Sequence, residues 1–293
     1  MSVIKNKIKN NLDMITSAFI NELHNKFDIC RTELINTWNE VNNSYKKYNI
    51  GELDEIKLVN NLFKMNEEKK YDMLSNCLNY EASDGIEIIN VTNQNKYNFE
   101  NEINKTPSSY KADVGIRMKK TNNIYYASIK SKSGANYAIL NHTHRMAKVF
   151  QIGDLNRHLH NIDILINEYI TKRSENIINE DVKLLQLESL QNINVKNSII
   201  EVLRYFIFTG TGKGNSKQPA NSILIYNNGN IDFKIYNTEF EQRQYVSNIL
   251  SNCIISLRSK GMPKNVNENH KPWIFNDINN KQKGCLHIRV CNA

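Results

Sequence analysis

The chain has 293 residues, with 38 Lys and Arg against 30 Asp and Glu, for a formal net charge of +8. A hydrophobic share of 40% beside 23% charged residues is ordinary for a globular protein with a sizeable core, which excludes wholesale disorder. No apolar run approaches the ~18 residues of a membrane-crossing helix, and no sustained period marks a collagen, coiled-coil rod or repeat array.

Ile4, Ile8, Leu12, Ile15, Phe19, Leu23 and Phe27 recur at three- or four-residue steps, which places them on one helix face. Leu34, Trp38, Val41 and Tyr45 continue the stripe until Asn42, Asn43 and Gly51 break it, and a second helical run is expected over residues 53–78. No proline precedes Pro107, so residues 1–80 are expected to form a helical N-terminal region packed on a core of residues 81–293. Residues 85–92 are rich in β-branched side chains and predict a strand. Thr106-Pro107-Ser108-Ser109 predicts a turn. Residues 112–118 and 124–132 alternate apolar and polar around a polar turn, which predicts a β-hairpin. Residues 140–170 and 181–208 are expected to be mostly helical. A flexible loop, Thr209-Gly210-Thr211-Gly212-Lys213-Gly214-Asn215, follows. A second hairpin is expected around Asn227-Asn228-Gly229-Asn230. Thr238 with Glu241 reads as a capping box opening a helix to about residue 257. Residues 258–283 form a long basic loop, and 285–290 a closing strand. The expected fold is α/β, a central mixed β-sheet flanked by helices, forming one structural domain with the N-terminal helices.

Five cysteines, Cys30, Cys77, Cys253, Cys285 and Cys291, make no C-x-x-C pair, so idle or buried thiols are expected rather than a zinc ribbon or disulfides. The N-terminal stretch lacks the apolar centre of a secretion signal. Asn is about one residue in six, a bias that fits an AT-rich bacterial genome. The expected location is the bacterial cytoplasm. The basic balance suits a polyanion, DNA or RNA first, although charge alone decides little.

Asp113, Ser128 and Lys130 carry the chemistry. Side chains alternate along a strand, so Ser128 and Lys130 share one face while Ala127 and Ile129 point into the core. A hairpin brings Asp113 beside them. Phosphodiester hydrolysis needs a hard cation on the phosphate, and Mg²⁺ takes oxygen ligands such as the Asp113 carboxylate and the Ile129 carbonyl. Lys130 would orient or deprotonate the attacking water, or stabilise the transition state. Any hairpin can also display Asp, Ser and Lys on a solvated face. Against that, Asp113 stands between Ala112 and Val114, where a bare surface charge is less expected.

The segments Thr106 to Val114 and Ala127-Ser128-Ile129-Lys130 resemble the PD-(D/E)XK nuclease superfamily, the type II restriction endonucleases within it, and more loosely their MspI-like branch. The resemblance implies a restriction-endonuclease-like fold and Mg²⁺-dependent, sequence-specific cleavage of double-stranded DNA leaving 5′-phosphate ends. Asp113 matches the first motif position and Lys130 the last. Ser128 stands where an acid is usual, which leaves one metal carboxylate fewer. Glu81 is carried as the candidate replacement, with Asp84 and Glu87 as alternatives. A cognate DNA methyltransferase is implied as a functional partner, and the protein would be a monomer or a homodimer with no membrane association. The competing expectation is a non-catalytic DNA-binding protein with a decayed site.

DNA contacts are expected from Lys132, from Lys213 and Lys217 in the glycine loop, and from Arg258, Lys260, Lys264, His270 and Lys271 in the basic loop. The glycine loop lacks P-loop spacing and follows a helix, so ATP is not expected. The basic loop would read a groove, or be a solvated loop anchored by Trp273. His142, His144, His158 and His160 form two pairs; neighbours two apart on a helix diverge by roughly 200°, a poor chelate.

Overall fold

The apolar stripe of the first 45 residues folds as three helices: α1 (Ser2–Asn10), α2 (Ser17–Phe27) and α3 (Arg31–Tyr45). Ile4, Ile8, Leu23 and Leu34 bury together at their centre. The chain turns between α2 and α3 at Asp28, in the left-handed region with φ 50°, which Asp tolerates better than most residues. The computed structural model describes residues 2–10, 17–45, 50–68, 74, 77–78, 85–91, 109–132, 137–178, 181–227, 230–258, 268–276 and 282–291. Leu12, Ile15 and the turn residues Thr106, Pro107 and Ser108 lie outside these.

Helix α4 (Ile50–Glu68) packs elsewhere, burying Leu58, Val59, Leu62 and Phe63 against a five-stranded sheet. That sheet contains β1 (Ile86–Ile89), β2 (Val114–Met118), β3 (Asn123–Ser131), β8 (Ser222–Asn227) and β9 (Asn230–Ile235), in the order β1-β2-β3-β8-β9. The first three strands and the last pair are antiparallel, whereas β3 and β8 are parallel. Both predicted hairpins are present, although Asn228 and Gly229 lie outside the described residues. Ala127 and Ile129 join Val114, Ile116 and Leu224 in the cluster facing α4. On that face Ser131 Oγ also donates to the Asp54 carboxylate of α4.

A parallel pair needs a long crossover, and here the crossover carries two strands of a second sheet, the other three following β9. Its strands are β4 (Ala138–Asn141), β5 (Val182–Lys183), β10 (Cys253–Arg258), β11 (Ile274–Asn276) and β12 (Gln282–Val290). β12 pairs with β10, β11 and β4, so the expected closing strand is central. The helices α5 (Lys148–Gln151), α6 (Asn156–Ser174), α7 (Ile193–Arg204) and α8 (Glu239–Ile249) complete the protein. The hairpin β6 (Gly210–Thr211) and β7 (Gly214–Asn215) stands apart. The whole is a mixed α/β protein with a mixed sheet and flanking helices.

Three helical expectations are corrected. Residues 140–170 begin as β4 and a 3₁₀ turn, His142–Met146. Residues 181–208 begin as β5 and two 3₁₀ turns, and α7 gives way to a π turn at Tyr205–Thr209. The α8 helix stops at Ile249, and the run Cys253 to Leu257 is a strand with all five residues buried. A strand covered on both faces shows no alternation and cannot be told from a buried helix by period alone. The capping box of α8 is as read: Thr238 Oγ1 accepts from Glu241 N (3.2 Å) and the Glu241 carboxylate accepts from Thr238 N (2.9 Å).

Candidate functional site

Strand β2 begins one residue after Asp113. Asp113 N donates to Ala127 O (2.8 Å), and its Oδ2 accepts from Ile129 N (2.8 Å). The carboxylate thus stands where the backbone ladder to β3 would have continued. Lys130 Nζ donates to Ser128 Oγ and to Ile129 O, each at 2.8 Å, and lies 5.9 Å from the centre of the Tyr137 ring. The amide N–H of Ile129 is therefore held by the carboxylate and its carbonyl by the amine. Asp113 and Lys130 meet on one residue. Ser128, whose hydroxyl receives the Lys130 amine, is only 1% exposed.

The segment leading into Asp113 is clamped from its other side. Lys111 N and Ala112 N both donate to Gln218 O at 3.1 Å, Lys111 N also to Ser216 Oγ at 2.7 Å, and Lys217 N to Ser109 O at 3.0 Å. Lys111 was not singled out by the sequence, although strand alternation puts it on the Asp113 face. Its pKa is pulled down to about 7, first by burial and then by the Lys130 charge, against the opposing pull of Asp113 and Glu55. The charges of Lys130, Asp113 and Glu55 of α4 therefore all act on Lys111.

Oxygen ligands suitable for Mg²⁺ are the Asp113 carboxylate and the Ile129 carbonyl. Mg²⁺ is commonly held by one or two carboxylates with waters completing its shell. Among the described residues no group of three His, Cys, Asp or Glu converges as a closed cage. The donor set fits an open, partly hydrated Mg²⁺ site. Glu81 and Asp84 lie outside the described residues. Glu87 is paired with Arg117 on β2 at 3.0 Å.

The 3₁₀ turn after β4 lies against the π turn and the 210–215 hairpin. Asn141 N donates to His144 Nδ1 (3.0 Å), and the His144 ring lies 4.3 Å from that of Phe206 in the π turn. Burial, then the Lys111 charge, lowers the His144 pKa to about 4. The expected flexible loop is the β6–β7 hairpin, tied down by Tyr205 Oη donating to Asn215 Oδ1 (3.0 Å). Gly210 allows the close approach: a Cβ there would sit 2.1 Å from the Tyr205 ring.

The remaining candidates divide. Lys213 and Lys217 are exposed, with Lys217 Nζ 5.9 Å over the Tyr110 ring. Lys132 is half-buried at the end of β3, its N–H on Tyr226 O (2.8 Å). Arg258 ends β10, opposite Cys285. Lys260 and Lys264 lie outside the described residues. Lys271 is exposed, with Nζ 3.6 Å from Glu268. His270 packs on His142 at 5.7 Å, and His287 on His142 at 6.3 Å. The histidines thus gather as His142, His144, His270 and His287, across three elements, while His158 bonds Ser198 at 3.1 Å. Burial, then His287 and His270, lowers the His142 pKa to about 4. Trp273 is fully buried and donates to Asp163 Oδ1 (2.7 Å), which also receives Arg145. It anchors the end of the basic loop.

No family model, curated protein or solved structure matches this chain.

Proposed function

We propose that the protein is a Mg²⁺-dependent endonuclease with a restriction-endonuclease-like fold, cutting double-stranded DNA at specific sequences in the manner of the type II restriction enzymes. The observation that carries this reading is the meeting of Asp113 and Lys130 on the two peptide groups of Ile129, at 2.8 Å each. The chain order around them is α4, β1, β2 and β3, followed by a helix-bearing crossover to the parallel strand β8. The lysines around Lys111 supply the attraction that a phosphate backbone needs.

In this reading Asp113 and the Ile129 carbonyl hold Mg²⁺, which would polarise the scissile phosphate and acidify its bound water. Lys130 orients the attacking water and offsets the charge that builds on phosphorus. Ser128 fixes the Lys130 amine through their hydrogen bond, a positioning role that suits its burial. Tyr137 supports the same amine with its ring face. Water adds to phosphorus, the 3′ oxygen leaves with a proton, and the products are a 5′-phosphate and a 3′-hydroxyl.

The second reading is a DNA-binding protein without catalysis. Ser128 in place of an acid and the lack of a three-ligand cage among the described residues favour it. Incubating plasmid with the protein and Mg²⁺ separates the two. Discrete fragments support the nuclease; an intact plasmid retarded in a gel supports the binder.

A further inference from the structure

We propose that the Lys130 ammonium is the resident cation of the Asp113 site: it caps the Ile129 carbonyl until a divalent metal displaces it, and that displacement delivers the amine to the attacking water. This assignment rests on the nuclease reading.

Backbone direction explains why this carbonyl takes a cation. The N–H and C=O of one strand residue point to the same side of the strand. Ile129 N donates to Asp113 Oδ2, so the Ile129 carbonyl also points to the β2 side. The β2–β3 register ends at Val114 opposite Ala127, with Asp113 N on Ala127 O. The next carbonyl on that side is that of Ile129, and the Lys130 amine caps it at 2.8 Å. One side of one residue thus presents a carboxylate and a carbonyl, with an ammonium already seated on the second.

A dication on that oxygen would stand beside the ammonium, and the two repel. The amine therefore leaves the carbonyl as the metal arrives. Ser128 gives it a place to stay. Its Oγ accepts from the same Nζ at 2.8 Å, and the Tyr137 ring lies 5.9 Å away. A hydroxyl carries no charge to lock the lysine in an ion pair, so the amine turns about this bond. An acid at position 128 would draw the amine off the carbonyl from the start. Serine there makes metal loading and lysine placement a single event.

Metal affinity tests the displacement without turnover. MnCl₂ supplies an oxygen-seeking ion with the charge of Mg²⁺; it is titrated into the DNA-free protein, and free Mn²⁺ is read by electron paramagnetic resonance. Lys130→Met keeps the length of the side chain and removes its charge. It should tighten Mn²⁺ binding roughly tenfold, because the metal no longer has a cation to expel. Lys196→Met, at an exposed position of α7, should leave the affinity unchanged, and Asp113→Asn should abolish binding. Where Lys130→Met fails to fold, a crystal structure of the parent protein with Mn²⁺ decides. Nζ should then lie beyond hydrogen-bond reach of the Ile129 oxygen, with the metal on that oxygen; an amine still bonded there beside the metal would overturn the displacement. Binding that needs Asp113 but is unchanged or weakened in Lys130→Met sinks the displacement alone and leaves the metal site standing. Binding indifferent to Asp113→Asn, or absent from the parent and from Lys130→Met alike, takes the metal site and the displacement down together.

Discussion

Two nine-residue strands, β3 and β12, each lie inside a sheet, and each has polar side chains where burial is deepest. In β3 the polar pair Ser128 and Lys130 bond each other and the backbone beside a carboxylate that replaces a ladder partner. In β12 the guanidinium of Arg289 is tied to Ser256 at 3.1 Å and to Asp181 at 3.3 Å, which fastens neighbouring strands. The second sheet uses buried polarity to hold itself together. In the first, unlike and like charges from α4, β3 and Asp113 all act on Lys111, the pattern of a site rather than of a staple.

The comparison breaks most sharply at the chemistry. Asp113→Ala and Lys130→Ala should each cut cleavage on the order of 10³-fold while duplex binding survives, whereas Arg289→Met should leave the rate per folded molecule unchanged. Single-turnover cleavage beside a gel-shift titration reads both. Stability should show the reverse. Trp273→Ala, which empties a fully buried site and removes one donor from the Asp163 carboxylate, should cost about 3–5 kcal/mol in urea unfolding, with the Asp113–Lys130 pair untouched.

The histidine cluster of the second sheet sharpens the contrast through pH. The pKa of buried His142 falls from the usual 6.5 to about 4, so the folded state favours its neutral form. Its stabilising share is complete above pH 6.5 and is lost as pH drops toward 4. His142→Phe should flatten that acid limb in thermal melts recorded from pH 7 down to about 4, and should cost little at pH 7 because the partnerless Nδ1 leaves with the ring. The smallest effect is expected at a cap far from both features: Thr238→Ala should lower stability by about 1 kcal/mol in the same urea assay.

What could be read from the chain in advance follows the range of each interaction. The β2–β3 hairpin, the β8–β9 hairpin and the Thr238 box are local patterns, and all three stand in the structure. The strands β4, β5 and β10 are short or wholly buried and lie among helices, so their Ile-rich runs carried no period that separates strand from helix. At the site, Asp113, Ser128 and Lys130 were accessible because two-residue alternation and a tight turn decide which face they share. The same alternation placed Lys111, two residues before Asp113. Glu55 and His144 had no such signal. One comes from a helix on the opposite face of the sheet and the other from a turn beyond β4, and only tertiary packing brings them in.

The parallel pairing of β3 with β8 has a consequence for how the protein is made. Ser128 lies opposite Ile223, and Tyr126 N donates to Asn221 Oδ1 across 95 positions of chain. Contacts so distant in sequence form late. A ribosome that has released the Asp113–Lys130 hairpin has yet to synthesise the strand that flanks it, the Lys217 segment that clamps it and the π turn that backs His144. A chain cut short before residue 222 lacks β8 altogether, so unfinished copies carry the charged residues without the enclosure that organises them.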